Sequence, residues 1–212
     1  ECAAIEEPGI VKRFREVYCI PESEPVPEED ILKQWELERA LRCELLASTP
    51  AHRAKVFEDA YSRFYSSTRN LLQLVEGSLT LPDEELYREW LDVLGPPPLA
   101  LYEVGSGKGR MVSYLASLGY SCRATEITSE RGKSQVQSEA GVSWNNSDGV
   151  HLDQYEAPSS HDAVVSDQVV EHIHPEDTAL HFRGALAILK PGGRYIFRTP
   201  YALFGPWDIT RV

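Results

Sequence analysis

The stretch LALYEVGSGKGR, residues 99–110, sets a short apolar run, an acid at Glu103 and glycines at 105, 107 and 109 in one line. Apolar residues then fall at helical spacing, at Met111, Val112, Tyr114, Leu115 and Leu118. This order predicts a buried strand, a glycine-rich turn and the start of a helix. Glycine lets the backbone take positive φ and lets a ligand come close to the main chain. The free N–H groups at a helix N-terminus suit an anionic group. A plain strand-to-helix turn needs one glycine rather than three, so the pattern points to a ligand loop.

Working outward, strands and helices alternate downstream. Strands are expected at Leu99–Val104, Tyr120–Glu126, Val142–Trp144, Asp162–Ser166 and Arg194–Thr199. Helices are expected at Lys108–Leu118, Glu130–Glu139 and Pro175–Leu189, the last closed by Lys190-Pro191-Gly192. Such alternation gives right-handed βαβ units, hence an α/β fold with a doubly wound, mostly parallel sheet. Ligands bind such sheets beyond the carboxyl ends of the strands.

Upstream, Gly95-Pro96-Pro97-Pro98 marks the expected domain boundary. Before it, helical patterns run over Glu28–Ala47, from Thr49-Pro50 to about Glu76, and over Pro82–Leu94. In the first, Ile31 and Trp35 share a face, as do Leu37, Leu41 and Leu45. Ser66-Ser67-Thr68 suggests a break in the second. An irregular arm with one short helix is expected over residues 1–27. The organisation expected is therefore an N-terminal arm and helical lid, residues 1–95, and a ligand-binding α/β domain, residues 96–212.

The chain is 42% hydrophobic and 25% charged, as an ordinary globular domain is. Its net charge of −12 lies mostly in residues 1–94, and no basic stripe appears, which speaks against a nucleic-acid track. No apolar run reaches the roughly 20 residues that span a bilayer, and no secretory signal is visible. Cys2, Cys19, Cys43 and Cys122 show neither a zinc spacing nor a disulfide framework, so free thiols in a reducing, cytoplasmic setting are expected.

The glycine stretch resembles motif I of the class I S-adenosylmethionine (SAM) dependent methyltransferases, E/D-x-G-x-G-x-G. It departs from the dinucleotide pattern G-x-G-x-x-G, because Arg110 stands where the third glycine would be. Two later stretches, SDQVVEH at 166–172 and LKPGGRYIFRT at 189–199, resemble further segments of the small-molecule branch of that superfamily. The resemblance covers residues 99–200.

It implies SAM as cofactor and methyl transfer to a small O- or N-nucleophile. Glu103, Gly105, Ser106, Gly107 and Gly109 would then face the amino-acid part of SAM. Glu126, with Ile127, would bind ribose, and Asp148, with Gly149, adenine. Asp167 and Gln168 would face the methionine end. His172 is the candidate general base. Tyr61, Tyr65 and Arg69 are candidates to face the acceptor. His151, His161 and His181 form no metal spacing.

Some relatives carry E-x-x-E-H where this chain has Gln168-Val169-Val170-Glu171-His172. There the acids and the His help bind a divalent metal. Gln168 is a poor ligand for a hard cation, so no metal is expected. The family usually continues past strand five into a helix and two strands, whereas only Tyr201–Val212 follow here. A truncated member or fragment is therefore the expectation. A SAM-binding domain without transferase activity and an NAD(P)-dependent oxidoreductase are the alternatives. Neither nucleic acid nor membrane is an expected partner, and oligomeric state is not legible.

Overall fold

A computed structural model of the chain describes residues 9–17, 20, 22–23, 26–67, 82–129, 131–136 and 140–199. The described residues up to Ser67 and those from Pro82 onward fall into two compact units.

The first unit holds α1 (Ile10–Val17), α2 (Glu28–Leu46) and α3 (Arg53–Ser67). The buried face of α2 is Ile31, Gln34, Glu38, Leu41 and Leu45, with Gln34 donating to Glu38 at 2.5 Å. A polar pair therefore sits on the buried face with Ile31, Leu41 and Leu45, and neither Trp35, expected beside Ile31, nor Leu37, expected with Leu41 and Leu45, is fully buried. Helix α3 buries Phe57, Ala60 and Phe64. It begins at Arg53 rather than just after Thr49-Pro50. The Arg53 guanidinium is turned inward and donates to the Ser48 carbonyl at 3.0 Å. Its last described turn carries Ser66 and Ser67, whose hydroxyls donate to the carbonyls of Ser62 and Arg63. Such back-bonding competes with the helix ladder and suits a helix end.

The expectation of four free thiols is corrected here. Cys43 on α2 is disulfide-bonded, while Cys122 is free and buried. The partner of Cys43 lies outside the described residues. Sequence spacing does not reveal which scattered cysteines meet in space. Disulfides persist in oxidising settings, so the cysteines no longer argue for a reducing compartment.

The second unit opens with α4 (Asp83–Leu86) and α5 (Arg88–Leu94), which replace the single helix expected over Pro82–Leu94. The break is at Tyr87, with φ −108°. Gly95, at φ 83°, follows the end of α5. Tyr87, Trp90 and Leu94 pack with Leu101, Val112, Leu115 and Ala163 in one core, so residues 82–94 group with the sheet.

Five parallel strands follow in the order β3-β2-β1-β4-β5. They are β1 (Ala100–Val104), β2 (Ser121–Glu126), β3 (Val142–Asn146), β4 (His161–Asp167) and β5 (Leu189–Arg198). Helices α6 (Arg110–Ser117), α7 (Lys133–Val136) and α8 (Thr178–Ile188) connect them. Tyr102, Val104, Leu152, Val164, Ala185 and Ile188 form a second core. The near-continuous burial of β1 and β4 is that of central parallel strands covered on both faces. The strand order reverses between β1 and β4. Strand β5 starts earlier than expected because Lys190–Gly193 form an irregularity in its register with β4.

Candidate active site

The carboxyl ends of β1 to β4 bring the sequence candidates together along one edge of the sheet. Gly105, Gly107 and Gly109 all take left-handed backbone, at φ 68°, 56° and 78°. A Cβ at Gly105 would lie 2.6 Å from Val169 Cγ2, and one at Gly109 only 2.1 Å from Val136 Cγ1. Packing therefore demands both glycines. At Gly107 the nearest atom would be the Arg131 guanidinium carbon, 3.7 Å away, which leaves room on that side of the loop.

Ser106 stitches the loop to β2. Its N–H donates to the Thr125 carbonyl at 2.7 Å, and its hydroxyl accepts from Thr125 N–H at 3.0 Å. Thr125 Oγ1 in turn donates to the Glu103 carbonyl at 2.5 Å. Glu103 itself is only 4% exposed, and its Oε2 has no hydrogen-bond partner. Burial pushes its carboxyl up to about 8. The Asp167 and Glu126 charges push the same way, and a hydrogen bond to Ser106 pulls against them.

Glu126 is buried at the end of β2, where its Oε2 accepts from Ile127 N–H at 3.2 Å. Its backbone carbonyl takes Ser147 N–H at 3.1 Å, which ties β2 to the loop after β3. In that loop Asp148 Oδ1 accepts from the N–H groups of Val150 and His151, at 2.8 and 2.9 Å. Its Oδ2 lies 2.7 Å from His151 Nδ1. Asp148 thus shapes its own turn, and both oxygens already have partners.

After β4, Gln168 is exposed and holds φ 56°, a left-handed conformation that non-glycine residues rarely adopt. Such strain clusters at functional sites. The Asp167 carboxylate is committed to the Arg198 guanidinium. His172 is half-buried in a short 3-10 turn, Val170–His172. Next to it, Glu171 Oε2 accepts from Thr199 Oγ1 at 3.1 Å, and Oε1 is buried without a hydrogen-bond partner. His174 accepts from Glu176 N–H at 3.2 Å and caps the following turn. Tyr61 and Tyr65 lie in the helical unit with ring centroids 5.8 Å apart, and Arg69 lies outside the described residues. Among the described residues no group of three His, Cys, Asp or Glu could hold a metal ion.

The methyltransferase-domain family model matches residues 102–197, from β1 to β5. Over these residues the chain is similar to methyltransferase domains, and its five-stranded parallel sheet has the fold of solved methyltransferases. The chain resembles the 1,6-didemethyltoxoflavin-N1-methyltransferase of Burkholderia thailandensis, solved with 1,6-didemethyltoxoflavin and S-adenosylhomocysteine bound. Identity is 19% and the TM-score 0.54, over 70% of this chain and 64% of that one. It also resembles phosphoethanolamine N-methyltransferase 1 of Haemonchus contortus, in complex with phosphoethanolamine and S-adenosylhomocysteine. There identity is 18% and the TM-score 0.56, over 70% of this chain and 33% of the other. The chain thus spans less than two thirds of the length of either protein. No curated protein matches it in sequence. No helix among the described residues is long and apolar enough to cross a membrane.

The glycine loop and the start of α6 also contact residues that sequence reading passed over. Gly132, at φ 81°, abuts the glycine loop so closely that a Cβ there would lie 2.1 Å from the Gly107 carbonyl oxygen. A lone glycine in a polar run was its only signal. Asp83 pairs with Arg110 at 2.7 Å and fastens α4 to the first residue of α6. Nothing in the spacing of those two residues announces the pair.

Proposed function

We propose that this chain transfers a methyl group from SAM to a small-molecule acceptor with an O or N nucleophile. The observation that carries the reading is Glu103. It is an almost wholly buried carboxyl with an unpartnered oxygen, beside a left-handed glycine loop, within the stretch similar to methyltransferase domains. A buried polar atom without a partner is rare and calls for an explanation. The ammonium of an amino-acid ligand would supply the missing donor.

The donor set fits the cofactor. Glu103, Gly105, Ser106, Gly107 and Gly109 would hold its amino-acid end. Glu126 and Ile127 would hold the ribose, since one carboxylate can accept from two hydroxyls. Asp148 and Gly149 would meet the adenine, and Asp167 with the strained Gln168 would border the reacting end. SAM supplies a methyl group already activated on a sulfonium. The chain therefore has mainly to align the nucleophile and exclude water. His172 would take a proton from acceptors that must lose one.

Calorimetry with SAM, S-adenosylhomocysteine and NAD tests the reading. Binding of the first two and not of NAD is expected, and NAD binding alone would overturn it. Glu126→Ala is expected to weaken S-adenosylhomocysteine binding by about 1.5–3 kcal/mol, the scale of hydrogen bonds to a charged group. A panel of phenols, carboxylic acids and amines then tests turnover. Cofactor binding with no turnover across the panel would favour a SAM-binding domain without transferase activity.

A further inference from the structure

We infer that His181 is a positioning residue for the loop Ser147–Val150 and holds it in the shape that reads the adenine ring. The inference rests on the cofactor site proposed above.

His181 lies on α8 and is wholly buried. Its Nδ1 is 2.6 Å from the Gly149 carbonyl oxygen, and its Nε2 is 2.7 Å from the Tyr195 hydroxyl on β5. A carbonyl can only accept, so Nδ1 carries the proton and Nε2 accepts from the Tyr195 O–H. One tautomer satisfies both bonds. Burial keeps the ring neutral by lowering its pKa, against the Gly149 hydrogen bond and the Asp148 charge, which favour the protonated form.

The helix that carries His181 lies directly on the loop. At Gly184, a Cβ would sit 3.0 Å from both the Val150 carbonyl oxygen and Leu152 N. The loop is also held from the sheet side. Ser147 Oγ accepts from the Tyr102 hydroxyl at 3.2 Å and from Gly149 N–H at 3.2 Å. Tyr102 therefore fixes the loop through Ser147, and His181 fixes it through the opposite end of Gly149. The Asp148–Gly149 peptide, proposed to meet the adenine edge, lies between these two anchors. Without the His181 bond, the Gly149 carbonyl would be left to find another partner, and the peptide next to it could rotate.

A histidine that merely filled the core would support the fold without setting base recognition. Two substitutions separate the roles. His181→Asn can keep an N–H donor where Nδ1 stands and gives up the contact with Tyr195. His181→Gln can reach Tyr195 and gives up the donor to Gly149. The readout is the affinity for S-adenosylhomocysteine relative to S-inosylhomocysteine, which carries a carbonyl in place of the adenine amino group. Wild type is expected to prefer the adenine ligand. His181→Asn is expected to keep that preference within about twofold. His181→Gln is expected to lower S-adenosylhomocysteine affinity about tenfold and to bring the preference close to one. Equal loss in both variants, or loss in neither, would overturn the inference. Wild type that bound neither ligand would overturn the cofactor reading instead.

Discussion

Asp167 and Arg198 close a two-point ion pair across the carboxyl ends of β4 and β5, with Nε to Oδ1 at 2.8 Å and Nη2 to Oδ2 at 2.6 Å. The neighbouring Gln168 donates its N–H to the Arg198 carbonyl at 2.8 Å, and the guanidinium lies 5.8 Å from the centre of the Trp90 ring. The pair therefore braces the one strained non-glycine residue at the site edge. Both side chains are partly exposed, so solvent screens much of the attraction. Arg198→Met is expected to lower stability by about 1 kcal/mol and to weaken S-adenosylhomocysteine binding as the Gln168 turn relaxes. Urea denaturation and calorimetry check the two effects.

Glycine substitutions are expected to separate packing from ligand space. Gly105→Ala drives a methyl against Val169 in a left-handed backbone, and should destabilise the protein by about 1–3 kcal/mol. Gly107→Val meets only ordinary contact with Arg131, at 3.7 Å, so its cost in stability is the strain of a branched residue in left-handed backbone. A mutant that folds should fail to bind S-adenosylhomocysteine. Gly132→Ala, outside the glycine motif, is expected to impair binding too, because its Cβ meets the Gly107 carbonyl. Thermal melts alongside binding isotherms distinguish the three.

Glu103 gives the ligand-free protein a distinctive pH dependence. Its folded pKa is raised from 4.5 to about 8, so between those values the folded state holds more proton than the unfolded state. Stability from this group is present at low pH and is lost as pH rises through the window. His161 and His181 are shifted down, so they act the other way as pH falls through their ordinary value near 6.5. Above about pH 7.5 both histidines are neutral in the folded and unfolded states alike, so the slope from there toward pH 8 reports Glu103. Denaturation midpoints should fall with rising pH there, and Glu103→Gln should flatten the slope. If a ligand ammonium pairs with Glu103, binding near pH 7 should release a proton. Calorimetry in buffers of different ionisation enthalpy measures that release.

Methyl transfer by this chain is expected to proceed without a divalent cation. Gln168 offers one neutral carbonyl oxygen, and Glu171 already accepts from Thr199. Glu171 and His172, two ligands on one turn, are too few for a stable Mg²⁺ or Zn²⁺ site. Turnover after exhaustive EDTA treatment checks this. Activity lost to EDTA and restored by Mg²⁺, Mn²⁺ or Zn²⁺ would refute it.

The sheet was legible because its signals are local. Strands β1 and β4 carry short apolar runs, and Gly, Pro or Asp stands near the strand boundaries. Glu103 and Glu126 stood at readable spacings from the glycines. What could not be read is how side chains pair once the chain is folded. The bonds of Asp148 to its own turn and to His151 depend on the shape of that loop. The ion pair of Asp167 comes from Arg198 on β5, 31 residues on. The pattern over Pro82–Leu94 is continuous, and the break at Tyr87 comes as that residue packs into the core. Buried Gln34 and Glu38 defeat a search for apolar stripes, because they satisfy each other.

The central pair of strands also sets the order of events in folding. Leu101 on β1 pairs with Ala163 on β4 across about sixty residues of chain, whereas β1 meets β2 across only about twenty. Closing the longer loop costs more entropy before any contact offsets it, and such non-local pairing slows folding. The glycine loop and the Gln168 turn become neighbours only when that pair has closed. A ligand at the crevice can hold only chains that have passed this step. It would lengthen the lifetime of the native molecule without hastening its formation.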